Sequence, residues 1–479
     1  MAATLNPFKR DPLRYVLFGL FILGTRLPFF LHGYGVDSDA WGVALTAKFI
    51  AESGQYSVSR FPGYPFQELV LSLLYKGGPF LFNLVTALMS VAGVIFFALT
   101  LRKLRFKYIF LAGTTLAFVP TIFINSTISM DYIWAFAFLM ASMYFIIINK
   151  PIVAGIMLGL AIGCRITSGA MLLPYAIMLL RSDYSGKNMV KEFLFIVSAL
   201  VMGGLCFLPV YLKYGTSFFT YYDVPYPSIP KVLYKFTFDV WGVLGFFGLC
   251  CSVLMLFAPT KHKVRQYLFP RRVNINYVLP WLIAIDLYII SFIVLPMESG
   301  YLIPLIPFVI LIFGKYLYDK AFVFFAWTII LSPFVGGISA IDREDAPKPA
   351  QFEKKYLEIG GERLAFDPFT GPLITYQLRK ESGQAFVEEV IQSADTLKIN
   401  AIIVSGKWYN QVILQWKEPA KSFARFAPYI MHDELHDAFD RGCKVYYLPQ
   451  AEVFNHLKAG FNLDEDGAIP FVKTPHAKD

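Results

Sequence analysis

The 479-residue chain is 56% hydrophobic and 17% aromatic, only 16% of it is charged, and its net charge is +9; the mean hydropathy is +0.53. Soluble domains carry about 25% charged residues, so this composition excludes a disordered chain, a coiled coil and a disulfide-stapled secreted module, and it argues against an ordinary cytosolic enzyme. After Ile341 there are 17 basic and 21 acidic residues, and before it 26 and 13, so the basic excess belongs to the hydrophobic part, as cytoplasmic loops require and a nucleic-acid-binding face does not.

Lys9, Arg10 and Arg14 precede an apolar stretch without a small-residue cleavage motif, the pattern of a retained signal anchor. Apolar runs of near-bilayer length predict about eleven membrane helices, over 15–31, 80–101, 108–125, 129–148, 152–163, 168–180, 193–211, 238–257, 277–296, 302–317 and 321–340. The two runs around Arg165 are short for a full crossing and read as a bent or re-entrant unit.

Loop charge tests this count. Alternate connections hold Arg102, Lys103, Arg105 and Lys107; Lys150; Arg181, Lys187 and Lys191; Lys261, Lys263, Arg265, Arg271 and Arg272; and Lys315 and Lys320. The opposite connections hold Asp37, Asp39 and Glu52; Asp131; Asp223; and Glu298. This separation predicts a cytoplasmic N-terminus and an extracytoplasmic C-terminal region. Lys213, Lys231 and Lys235 are its exceptions.

The predicted fold is therefore an α-helical polytopic membrane protein with a C-terminal extracytoplasmic α/β domain. Residues 1–340 form the multi-spanning part and 341–479 the soluble one, with 342–350 as linker. In the soluble part, strands are expected over 401–404 and 445–448, and helices over 386–396 and 434–441. No phosphate-cradling Gly-rich fingerprint follows a strand.

The predicted outer face collects the chemistry. The loop 32–78 opens with Asp37-Ser38-Asp39 and continues into an amphipathic stretch, with Trp41, Leu45, Phe49 and Ile50 on or near one face, the pattern of a helix lying at a membrane surface. Two carboxylates two residues apart suit a general base; equally, Asp39 suits an N-cap. Arg165, inside an apolar segment, is a candidate for a lipid phosphate, which its fork can grip bidentately. The alternative is snorkelling or pairing with Asp131. The small neighbours Gly163, Ser168 and Gly169 would admit a ligand. Asp131 and Glu298 are each either an active-site acid or a carboxylate at a helix end or interfacial loop. His432 and His436 stand four apart without a metalloprotease arrangement, and none of Cys164, Cys206, Cys250, Cys251 and Cys443 forms a CxxC pair.

Taken in order, these motifs resemble the GT-C superfamily of integral-membrane glycosyltransferases, nearest the family-39-like group of protein mannosyltransferases and lipid A aminoarabinose transferases. The resemblance rests on Asp37-Ser38-Asp39 after the first helix, on Ser59-Arg60-Phe61-Pro62-Gly63-Tyr64-Pro65 ending in Gln67-Glu68, on Gly163-Cys164-Arg165, and on Tyr301 to Pro307 opening a late helix. It covers about residues 14–340. Two departures stand out. Ser38 separates carboxylates that the family often has adjacent, and Arg60 with Gly63-Tyr64-Pro65 replaces a Lys-Pro-Pro pattern.

The resemblance implies transfer of a sugar, with inversion, from a polyprenyl-phosphate donor to a lipid, glycan or protein acceptor on the outer face of a bacterial inner membrane. Asp37 or Asp39 would be the base. Arg60 and Arg165, helped by Tyr64 and Tyr301, would bind the lipid phosphate; Asp131, Glu298 and Glu68 would form a second acidic group. No cofactor is expected, and only metal-dependent members would use Asp131 or Glu298 as ligands. A transporter or flippase of lipid-linked sugars, or an O-antigen polymerase or ligase, are the competing readings.

Overall fold

A computed structural model describes residues 11–180, 186–217, 226–257, 275–341, 356–359, 362–417 and 422–471. The expected linker 342–350, Asp223, Arg181 and the basic loop holding Lys261 to Arg272 lie outside the described residues.

The chain is mostly helical. In order come α1 (Asp11–Arg26), α2 (Ser38–Ser53), α3 (Pro65–Ser72), α4 (Gly78–Lys103), α5 (Ile109–Phe118), α6 (Pro120–Asn125), α7 (Tyr132–Ile147), α8 (Pro151–Cys164), α9 (Leu172–Leu180) and α10 (Gly186–Tyr214). There follow α11 (Ile229–Phe236), α12 (Phe238–Phe257), α13 (Ile275–Val294), α14 (Ile306–Tyr316) and α15 (Asp319–Leu331). Among the described residues, four stretches, Tyr75–Lys103, Met189–Tyr214, Phe238–Leu256 and Ser299–Tyr316, are long and apolar enough to cross a membrane, and five shorter apolar helices accompany them. On α10, Leu200, Val201, Leu205, Leu208 and Leu212 all stand exposed. Such a run of exposed apolar side chains is costly in water and suits lipid, and the chain is an integral membrane protein.

Several expected spans are broken. The run 108–125 becomes α5 and α6 because Pro120, at the start of α6, ends the preceding helix. The run 302–317 begins as a 3-10 segment, Ser299–Leu305, before α14. Gly242, at φ +65°, bends α12 where any side chain would strike Ser332 Oγ.

A glycine stripe holds α8 against α10. A methyl group on Gly155 would lie 1.9 Å from Ser198 Oγ, on Gly159 2.5 Å from Met202 Cβ, and on Gly163 2.6 Å from Cys206. Glycines four apart share one helix face and allow close backbone approach without a hydrophobic driving force. Gly163 therefore packs against its neighbour rather than opening space for a ligand; Gly169 has only Ile162 near it, at 3.9 Å.

Two sheets follow. Strands β1 (Gly337–Ile341), β2 (Tyr356–Ile359) and β3 (Glu362–Asp367) pair antiparallel in the order β1-β3-β2, with Gly337 opposite Asp367. Strands β4 (Ala401–Val404), β5 (Ala424–Ala427), β6 (Lys444–Tyr447) and β7 (Ile469–Pro470) pair parallel in the order β5-β4-β6-β7. Helices α16 (Pro372–Asp395), α17 (Tyr409–Gln415), α18 (His432–Asp440) and α19 (Ala451–Ala459) accompany the parallel sheet. Val387, Val390, Ile403, Val404, Leu435 and Val445 make a core of their own, separate from that of the membrane helices.

Candidate active site

The site is assembled by the loop 32–78, by the break between α8 and α9, and by the start of the 3-10 segment at Ser299. Helix α2 begins two residues earlier than the capping reading placed it. Asp37, not Asp39, holds the N-cap position, and its side chain makes no capping bond. Asp39 lies in the first turn. The buried face of α2 is made by Ala40, Trp41, Val43, Ala44, Ala47 and Ile50, while Phe49 is exposed. The apolar stripe is thus turned from the one expected, because Trp41 anchors it: its Nε1 donates to Gly35 O at 2.9 Å.

Asp131 is the hub of the cationic part. At 1% exposure, its Oδ1 accepts from Arg60 Nη2 at 2.9 Å and its Oδ2 from Arg165 Nη1 at 2.6 Å. Arg60 also pairs with Asp39 through Nη1 and donates from Nε to Tyr64 Oη at 2.6 Å. Both guanidinium groups lie over aromatic rings: Arg60 is 4.6 Å from the Tyr64 centroid, and Arg165 is 4.4 Å from Tyr132 and 4.5 Å from Tyr301. Asp131 thus spends its carboxylate on two cations instead of on its helix, which has no side-chain cap. Among the described residues, Nε and Nη2 of Arg165 have no hydrogen-bond partner.

Glu68 has another task. Fully buried, it accepts from Tyr56 Oη at 2.6 Å, from Ser59 N–H and Oγ at 2.7 Å each, and from Tyr64 N–H at 3.2 Å. It pins the loop that carries Arg60 and Tyr64. Burial pushes its carboxyl up, against these four hydrogen bonds.

The second part of the site is acidic. Asp37 is exposed, and none of the described side chains donates a hydrogen bond to its carboxylate. Burial by the surrounding protein nonetheless pushes this carboxyl up, neighbouring Asp39 and Asp239 push it further, and Lys235 and Arg60 pull it back. Glu298 lies among the same charged groups. Half exposed, it stands 4.0 Å from Lys235 Nζ, and burial raises its carboxyl to about 7, with Lys235 opposing and Asp37, Asp239 and Asp39 adding to the rise. Lys235 also donates to Met297 O.

The structure therefore brings together Asp37, Asp39, Arg60, Tyr64, Asp131, Arg165, Tyr301 and Glu298, with Glu68 beneath them. The sequence reading passed over Asp239, Tyr132 and Lys235. Asp239 reads locally as the first turn of an apolar helix, and Tyr132 as one more interfacial aromatic. Lys235 did carry a signal, as an exception to the charge pattern of the loops. Among the described residues no group of three or more His, Cys, Asp or Glu is placed to hold a metal ion; His432 and His436 face each other with Nε2 atoms 3.4 Å apart.

An apolar cavity of ≈ 240 Å³ lies between α3 and α10, lined by Phe66, Leu69, Leu73, Leu205 and Pro209 among others. The Gly163 position is 3.4 Å from Phe66 Cβ, which puts one wall of the cavity two residues from Arg165.

No family model matches the chain, and no curated protein sequence matches it. Among solved structures it is similar to the crystal structure of ArnT from Cupriavidus metallidurans in the apo state, with a TM-score of 0.44 and 16% sequence identity over 63% of this chain. The match spans 58% of that protein's length.

Proposed function

We propose that the protein is a glycosyltransferase that moves a sugar from a polyprenyl-phosphate donor to an acceptor hydroxyl on the outer face of the membrane. The observation that supports this most is an unengaged carboxylate, Asp37, near two arginines anchored on a single buried aspartate. Asp37 serves as the general base, since Asp39 is tied to Arg60 while Asp37 makes no hydrogen bond with the described side chains. A carboxyl with a raised pKa is the better base near neutral pH.

In this scheme Asp37 removes the proton of the acceptor hydroxyl as that oxygen attacks the anomeric carbon from the face opposite the phosphate. The anomeric carbon–oxygen bond breaks, its electron pair leaves with the polyprenyl phosphate, and the configuration inverts. The growing charge on the phosphate meets Arg165 and Arg60. Asp131, Tyr64, Tyr132 and Tyr301 hold these in place beforehand, so little reorganisation is needed as the charge develops. The apolar cavity beside α3 suits the hydrocarbon of the lipid tail. The scheme uses no metal. The geometry favours neither the transport nor the polymerase reading over this one.

Glycan mass spectrometry of a deletion strain tests the proposal. Loss of one sugar from an envelope glycan, restored by the wild-type gene and not by the Asp37→Asn gene, is the expected result. Full restoration by Asp37→Asn would rule out this assignment of the base.

A further inference from the structure

Asp37 has no side-chain hydrogen bond to fix its direction, so whatever orients its carboxylate must act through its backbone. Two side chains of the C-terminal part flank it with hydrogen bonds to its neighbours. Val36 N–H donates to Tyr376 Oη at 3.0 Å. On the other side, Asn410 Nδ2 donates to Ser38 O at 3.2 Å and to Ser38 Oγ at 3.3 Å. Tyr376 belongs to α16 and Asn410 to α17, so the two contacts come from different elements.

The loop is shaped to receive them. A methyl group on Gly35 would lie 2.9 Å from Ala40 Cβ and 3.4 Å from Tyr376 Oη, and one on Gly42 would lie 3.1 Å from Asn410 Nδ2. The glycines on either side of the acidic motif therefore sit where the two C-terminal side chains approach most closely. The same face of α16 reaches further along the loop: Gln377 Nε2 is 2.9 Å from His32 Nδ1, and Lys380 Nζ donates to Phe29 O at 3.2 Å. Those two contacts dock the parts together; the bonds of Tyr376 and Asn410 fall on the residues adjoining Asp37.

We infer that Tyr376 and Asn410 are positioning residues, a clamp through which the C-terminal part holds the Asp37-Ser38-Asp39 segment in working register. This rests on Asp37 being the base of the proposed transfer. The C-terminal part then completes the site rather than merely following it in the chain, and its loss would leave the base present but misaimed. A misplacement of about 1 Å at a reacting group costs about 100-fold in rate.

The test uses the full-length protein in nanodiscs with the variants Tyr376→Phe, which keeps the ring, and Asn410→Ser, which removes the amide. Two quantities are read: exchange of the Val36 N–H and its neighbours by hydrogen–deuterium exchange, and kcat and KM for release of polyprenyl phosphate. The expected result for each variant is faster exchange confined to residues 34–40 and a fall in kcat of about 10-fold or more, with KM for the donor and the melting temperature close to wild type. Wild-type exchange in this segment in both variants overturns the clamp. So does faster exchange with unchanged kcat, which would make the contacts purely structural. If the wild-type protein releases no polyprenyl phosphate, the proposed function fails, and the inference that these residues position a base fails with it; the exchange result still decides whether they hold the segment.

Discussion

Arg165 donates to Asp131 at 2.6 Å, tying the break between two helices to the first residue before a third. Arg60 takes the other oxygen of the same carboxylate. One buried anion thereby holds two cations, from a loop and from a helix break, at one point. Each arginine keeps N–H groups or charge to offer to an incoming phosphate, and the carboxylate keeps the two from repelling each other.

Asp131→Asn is the most damaging single change in the cluster. It leaves two guanidinium groups close together without their shared anion, and removing one partner of a buried ion pair costs about 3–5 kcal/mol. Asp39→Asn should cost less than about 1 kcal/mol, because that carboxylate is half exposed and its pair is screened by water. Thermal unfolding of the detergent-solubilised variants separates the two: a large drop is expected for Asp131→Asn and a small one for Asp39→Asn.

Glu68→Gln tests the loop support. An amide cannot accept all four of the hydrogen bonds the carboxylate takes from Tyr56, Ser59 and Tyr64. Leaving a buried donor unsatisfied costs about 1–3 kcal/mol. Amide exchange of Ser59 and Tyr64 should quicken, and transfer should weaken through Arg60 even though Glu68 touches no substrate. Unchanged exchange across the loop would remove this role.

Glu298 links pH to stability. Its carboxyl is raised to about 7, so the folded protein favours the protonated form. That contribution is complete below the ordinary glutamate range, near pH 4, and is lost as pH rises through 7. Glu298→Gln removes the penalty for ionising beside Asp37, Asp239 and Asp39. It should raise the melting temperature at pH 8 relative to wild type and do little at pH 4. A difference that is the same at both pH values would contradict the assignment.

Gly159→Leu tests whether the helix contact positions the site. The added side chain meets Met202 and the Ala199 carbonyl at distances no packing can absorb, so α8 must move from α10 and carry Arg165 away from Asp131. A destabilisation of about 1–3 kcal/mol, accompanied by loss of activity, is expected; a folded, fully active variant would show that Arg165 is held independently of this contact.

Much of the local structure could be read from the sequence. The strand over 401–404 lies where the short apolar run Ala401-Ile402-Ile403-Val404 placed it, and Arg165 was singled out because charge in an apolar run is costly. What escaped was long-range pairing. Asp131 lies 71 residues from Arg60 and 34 from Arg165, and nothing in its own neighbourhood says which cations it will serve. Arg26 is the clearest case. It lies inside the expected span 15–31 and was not singled out, yet it is fully buried: it bonds Ser126 at 3.1 Å and the Ala117 carbonyl, and lies 3.8 Å from the Phe123 centroid. The C-terminal contacts with the acidic loop were invisible for the same reason, since Tyr376 meets Val36 across 340 residues. Lys235 shows the opposite: its misfit to the loop-charge pattern was the legible trace of its place beside Glu298.

The central claim is that the cluster around Asp37 transfers sugar from a lipid phosphate, and the most direct measurement is release of polyprenyl phosphate by purified protein in nanodiscs given a panel of polyprenyl-phosphate hexoses and acceptor lipids. Wild-type protein is expected to release the lipid phosphate with at least one donor, Asp37→Asn to do so about 100-fold or more slowly, and Arg165→Ala to lose comparable activity. Release by Asp37→Asn at the wild-type rate, or movement of intact lipid-linked sugar across the bilayer with no release by any form of the protein, would contradict it.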